Sequence, residues 1–262
     1  IILISLFSFT VISCAKKSDS SSSTASTAIS SGTSNFLGNV TYKNSTFMAV
    51  GTSGTILTSS DGISWTSRTS GTSNYFAGVN YANSTFVTVG ESGTILTSSD
   101  GTTWTSRTSG TSNNLNGVIY ANNTFVTVGW NGTILTSSDN GTTWTSRTSG
   151  TSNSVYRTAY ANSTFVTVGE YGTILTSSDN GTTWTTRTSG TTNTLPEVTY
   201  ANSTFVTVGY SGTILTSSDG TTWTSRTSGT TNNLYGVTYG NSTFVVVGET
   251  GTILTSSDGT TW

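Results

Sequence analysis

The sequence predicts an all-β fold assembled from repeated four-stranded antiparallel sheets, and three observations carry that prediction. The first is an eight-residue stretch, Ser137-Ser138-Asp139-Asn140-Gly141-Thr142-Thr143-Trp144, which recurs unchanged at Ser177–Trp184. It recurs one residue shorter at Ser59–Trp65, Ser98–Trp104, Ser217–Trp223 and Ser256–Trp262. The second is the period: the closing tryptophans stand at 65, 104, 144, 184, 223 and 262, so the steps are 39, 40, 40, 39 and 39 residues. Steps of this size mark propeller blades or solenoid coils. The third is local pattern. No stretch shows 3.6-residue apolar periodicity, while short apolar runs alternate with Gly, Asn, Asp and Ser punctuation. The expected architecture is a six-bladed β-propeller of four-stranded antiparallel blades, its ring closed by an N-terminal strand. A β-solenoid is the alternative.

Taken in order, the chain opens on an apolar run, Ile1 to Ser13, too short to span a bilayer, which needs about 20 residues. It fits the hydrophobic region of a signal peptide (residues 1–13), and the missing initiator Met and basic leader make this peptide N-terminally incomplete. Val11-Ile12-Ser13-Cys14 resembles a bacterial lipobox, which implies lipidation of Cys14. Residues 14–26, rich in Ser, Thr and Ala, then form a flexible tether. An ordinary signal peptide that contains a Cys is the plainer reading. The propeller occupies residues 27–262.

Within a period, blade two shows the expected elements. Strand A covers Phe76–Tyr81, strand B Thr85–Gly90, strand C Thr94–Ser99 and strand D Trp104–Thr108. Phe86, Val87 and Val89 make strand B densely apolar, as suits a strand covered on both faces. The eight-residue stretch is turn chemistry between C and D. Its Asp accepts from backbone N–H groups two or three residues on, and its Gly supplies φ > 0. Asp61, Asp100, Asp139, Asp179, Asp219 and Asp258 are therefore structural. Trp65, Trp104, Trp144, Trp184, Trp223 and Trp262 are expected to pack between blades, each burying ~200 Å². Arg68, Arg107, Arg147, Arg187 and Arg226, three residues further on, are expected to hold neighbouring turns. The chain reaches Trp262 as blade six should begin its last strand, and residues 27–31 match the repeat there. Closure by these residues removes an open sheet edge; a longer array is the rival.

Ser-x-Asp-x-Gly-x-Thr-Trp resembles the Asp-box of BNR-repeat β-propellers, a group that includes sialidases, sortilin-type receptors and photosystem II assembly/stability factors. Two copies match every fixed position, and four lack the residue between Asp and Gly. The resemblance implies the fold over residues 27–262 and does not by itself imply an activity.

Composition narrows function. Charged residues make up 8% of the chain and the net charge is −2, which argues against nucleic acid as a partner. The absence of His removes Ser-His-Asp and Cys-His nucleophiles and the commonest metal ligand. One cysteine excludes an intrachain disulfide. No cofactor, metal site or catalytic residue is expected, and the protein is read as a monomer.

The near-identical repeats differ in two places, the B–C turn and the D–A loop with the start of strand A. Both emerge on one face of an up-and-down propeller, with the Asp-boxes on the other. That face collects Trp130, Tyr156, Arg157, Tyr171, Tyr210 and Tyr235 with Glu91, Glu170, Glu197 and Glu249. Aromatics beside carboxylates suit sugar rings or peptide side chains. Unconstrained drift of duplicated loops is the competing explanation. Arg157 and Glu197 share one repeat position in adjacent blades, where they pair with each other or orient a ligand. A sialidase is disfavoured, because its chemistry needs three converging arginines. An inverting glycosidase needs two carboxylates ~6.5–9.5 Å apart, and the glutamates are spread around the ring. The functional expectation is a lipid-anchored binding or assembly module at a bacterial cell envelope, facing the periplasm or the cell surface, with a protein or carbohydrate ligand. A carbohydrate-active enzyme, or a repetitive surface protein without a ligand, is the alternative.

Overall fold

The computed structural model describes residues 29–262; the expected signal peptide, Cys14 and the tether to residue 26 lie outside the described residues. Six antiparallel sheets follow one another along the chain, five of four strands and a sixth of three, and in each the strand order follows the sequence. Each sheet is thus an up-and-down blade. In blade two the strands are Phe76–Ala82, Thr85–Gly90, Ile95–Ser98 and Thr105–Arg107, within a residue or two of expectation.

Local chemistry explains the turns. Asn83 and Ser84 join strands A and B with φ of 47° and 59°, the two consecutive left-handed residues that match the twist of a tight hairpin. Strand A bulges after its first residue, with a register shift between Phe76 and Gly78. In blade five Pro196, the one proline, stands at the corresponding place, and strand A starts only at Glu197. A residue without an N–H donor cannot extend the ladder there.

Five apolar clusters each join one blade to the next. Met48, Val50 and Ile56 of blade one, for example, pack on Phe76, Val79, Phe86 and Leu96 of blade two. Interior blades are covered on both sides, which is why their B strands, Thr88, Thr127, Thr167 and Thr207 included, are almost wholly buried.

Three expectations change. Trp104, Trp144, Trp184, Trp223 and Trp262 do pack against the clusters between blades, but the box tryptophans are only half-buried, whereas the strand-B phenylalanines Phe86, Phe125, Phe165, Phe205 and Phe244 are fully buried. In blade three, Phe125 sits 4.6 Å from the Tyr120 ring and 6.5 Å from Trp144. The Phe is the centre of the packing because it points between blades, while the Trp roofs it from the turn. The strand-D arginines do not reach neighbouring turns. Arg147 Nε donates to Thr136 Oγ1 at 2.8 Å on strand C of its own blade, and Arg68, Arg107, Arg187 and Arg226 do the same. The C–D register places each Arg where its guanidinium falls back across the sheet.

The third change concerns closure. Ile29, Ser30 and Ser31 carry no strand, Thr27 and Ala28 lie outside the described residues, and no described strand pairs on the outer side of Ile253–Ser256. Ile253 is 67% exposed. Open space surrounds Gly251, where the equivalent Gly93 of blade two meets Thr111 O and Ser109 Oγ. Among the described residues no apolar cluster joins blade six to blade one.

Candidate functional site

The variable segments do gather on one face. The B–C turn and D–A loop of a blade bond directly, as in Glu91 N–H to Tyr75 O at 2.8 Å and Trp130 N–H to Asn114 O at 2.9 Å. On the opposite face the A–B turns reach the box of the next blade. Asn122 Nδ2 bonds the Asn180 side chain, while Asn162 and Asn202 donate to Ser218 O and Ser257 O. The extra residue of the longer boxes, Asn140 or Asn180, thus supplies a side-chain acceptor between blades.

The boxes themselves are closed hydrogen-bond circuits. Ser177 Oγ, buried, donates to Asp179 Oδ1 at 2.8 Å and accepts from Gly181 N–H at 2.9 Å. The Thr183 N–H and hydroxyl donate to the same Asp. The Thr183 backbone N–H, then its hydroxyl, draw the Asp179 carboxyl down to about 2, against the slight burial that opposes them. Every box Asp is lowered in this way. Each box carboxylate is thus engaged mainly by its own turn.

On the variable face three of the four glutamates serve their own blade. Glu91, Glu170 and Glu249 each accept from the N–H of a D–A loop residue, namely Tyr75, Ser154 and Asn233. Tyr156 Oη donates to Glu170 Oε1 at 2.9 Å, and Tyr235 Oη to Glu249 Oε1 at 2.6 Å. Burial first, and then the Glu170 carboxylate, push the Tyr156 hydroxyl well above the usual tyrosine range. The hydrogen bond from Tyr235, followed by those from Asn233, holds Glu249 below the ordinary glutamate value. Blade one achieves the same loop contact with Thr52 Oγ1, which accepts from Phe36 N–H; blades three and five carry Trp130 and Tyr210 instead.

The aromatic residues form a band across blades three to six. The Trp130 turn packs against strand A of blade four, and the Tyr210 turn against strand A of blade six. Tyr210 meets Tyr235 edge-on with centroids 6.0 Å apart. Trp130 is 47% exposed and Tyr171 70%. Tyr171 occupies the left-handed region at φ 51°; Ser, Asn or Thr hold that position in the other blades.

Arg157 and Glu197 are brought together, with Nε 3.7 Å from Oε2 and both side chains largely buried. Arg157 Nη1 also bonds Asn116 O and Tyr156 O. One guanidinium therefore ties the inner strands of blades three, four and five.

Sequence reasoning missed the loop Ser70-Gly71-Thr72-Ser73-Asn74 and its repeats. Asn74 O accepts from Gly54 N–H of the preceding blade, while Asn74 Nδ2 donates to Thr94 Oγ1 of the following one at 2.7 Å. Its near-constancy, with only Thr192 and Thr231 replacing the Ser at one position, was the available signal. Gly54 is obligatory there, for at φ 66° a Cβ would meet Thr72 O at 1.9 Å. Tyr75 was also passed over. Its hydroxyl is buried against Gly38 of blade one, and burial pushes it up to about 12.

Repeated up-and-down blades around a common centre define the chain as a β-propeller. No family model matches it, and no curated protein does. Among solved structures it is similar to YCF48 bound to D1 peptide, with 18% identity and a TM-score of 0.71, covering 87% of this chain and 79% of that one. It is similar to YCF48 from Cyanidioschyzon merolae with 17% identity and a TM-score of 0.66, covering 84% and 82%. The computationally designed Ika8 protein matches with 14% identity and a TM-score of 0.71, covering 87% and 73%. At these identities the likeness establishes the fold.

Proposed function

We propose that the protein is a binding or assembly module that holds a protein partner on the face built from B–C turns and D–A loops. One observation carries the reading. Where otherwise near-identical repeats differ, they acquire exposed aromatics, and Tyr171 does so at a backbone cost. A bulky side chain at φ 51° gives up ~1–2 kcal/mol, and a side chain 70% exposed recovers little by packing. Strain of this kind is a pointer to function. YCF48, a neighbour of the same fold, is described bound to a D1 peptide, which favours a protein ligand over a glycan here.

Hydrolysis is less well supported by the geometry. Five of the six arginines lie on outer strands, tied to threonines of the adjoining strand C, and the sixth is tied to Glu197, while Glu91, Glu170 and Glu249 belong to separate blades. In the same proposal Cys14 carries lipid and residues 14–26 tether the propeller to an envelope membrane. Among the described residues no helix is long and apolar enough to cross a membrane. Cys14→Ser in the full gene should release the protein from the membrane fraction; unchanged fractionation and mass would refute the anchor.

The face itself is tested by presenting purified protein to envelope proteins and to glycans. Saturable protein binding that weakens in Trp130→Ala and Tyr171→Ala, but not in Thr142→Ala on the box face, supports the module. Equal effects from both faces, or none, return the variable turns to drift. Turnover of a glycan supports the enzyme.

A further inference from the structure

The glutamates of this protein are segregated from its cations, and the box aspartates, each bonded within its own turn, stand on the opposite face. The chain has four glutamates, and all of them, Glu91, Glu170, Glu197 and Glu249, lie on the variable face. Among the described residues the cations lie elsewhere: Lys43 ends strand A at the opposite face, and five arginines sit on outer strands. Arg157 is the exception, and it is neutralised by Glu197. The remaining carboxylates meet N–H and O–H donors, and no other ion pair occurs among the described residues. Glu170 and Glu249 each receive a tyrosine hydroxyl, which fixes their direction while leaving lone pairs unused.

The aromatic band runs through the same area. Tyr156 and Tyr235 carry the two carboxylates, Tyr210 stands edge-on to Tyr235, and Tyr171 and Trp130 project furthest into solvent. Ring faces attract cations through their quadrupole, and a carboxylate beside the ring adds its own Coulombic attraction. An anionic partner would meet three uncompensated carboxylates.

Resting on the binding-face reading, we propose that blades three to six dock an extended, Lys- or Arg-bearing peptide segment, whose cationic side chains lie between the Trp130–Tyr171–Tyr210 rings and the Glu170 and Glu249 carboxylates. Aromatics supply contact area, and the acids select the sign of the ligand. Specificity of this type works as much by repelling the wrong charge as by attracting the right one.

The experiment measures anisotropy of labelled alternating Lys-Gly, Arg-Gly, Ser-Gly and Glu-Gly peptides against the whole protein. The cationic peptides should bind saturably and weaken as salt rises, whereas the Ser-Gly and Glu-Gly peptides should not bind. Glu170→Gln and Glu249→Gln keep an oxygen for the loop N–H and should fold. Each should weaken the Lys-Gly peptide about tenfold, the equivalent of roughly 1.4 kcal/mol, as should Tyr171→Ala. Thr142→Ala on the other face should change nothing. Failure of the cationic peptides to bind, or equal binding of the Glu-Gly peptide, would overturn the proposal. If a protein partner is lost in Trp130→Ala yet unaffected by either Glu→Gln change, the binding face survives and its cationic specificity does not. Loss in neither class of variant removes both.

Discussion

Truncating Phe125 in blade three should be far more damaging than truncating any aromatic on the variable face, and more damaging than truncating Trp144. Phe125 is fully buried between blades two and three, among Val87, Val89, Leu115 and Leu135. Burying a Phe of ~200 Å² gives a gross gain of about 5 kcal/mol at ~25 cal/mol/Å². Phe125→Ala leaves a hole that two hydrogen-bonded sheets cannot collapse into, and the expected cost is ~3–5 kcal/mol. Trp144 is larger but half-buried, and its Nε1 donates to Gly141 O at 3.0 Å. Its loss is expected to cost ~2–3 kcal/mol, since water can enter the vacated site. Trp130→Ala should cost less than about 1 kcal/mol. Urea unfolding followed by circular dichroism ranks the three. If Trp144→Ala lowers the midpoint as much as Phe125→Ala, the packing is centred on the turn and not on strand B.

Three further outcomes are expected. Asp179, drawn down to about 2 from its ordinary 3.8, contributes stability that is fully present above about pH 4 and is lost as pH falls through about 2. Asp179→Asn should therefore lower the urea midpoint at neutral pH and converge with the parent near pH 2; a difference undiminished by acid would contradict the circuit. Arg157→Ala and Glu197→Ala should show a coupling of ~0.5–2 kcal/mol in a double-mutant cycle, and strict additivity would mean that their pairing is energetically idle. Tyr171→Asn should raise stability by up to about 1 kcal/mol through relief of the left-handed strain while weakening partner binding; unchanged binding would remove Tyr171 from the face.

The repeat made much of this protein legible without coordinates. A period of 39 or 40 residues without 3.6-residue apolar spacing inside it points to blades and not helices, and Asn83-Ser84 or Asp179 in its box specify their turns through chemistry contained in a few adjacent residues. Strand limits, blade count and the sorting of loops onto two faces follow from such local signals. What local signals cannot carry is the relation between blades. Phe125 outranks Trp144 because of what lies across the interface, and Arg147 turns back to Thr136 because of C–D register. The loop at Ser70–Asn74 shows its part only through hydrogen bonds to the blades on either side. Whether blade six meets blade one depends on an angle accumulated over five interfaces, and no single repeat encodes it. The candidate face divides in the same way. Which positions vary is read from the repeats alone; that Glu197 is spent on Arg157, that Glu170 and Glu249 are oriented by tyrosines of their own blades, and that Tyr171 is held out into solvent come from the folded chain. Those are distances between residues far apart in the chain, set by packing.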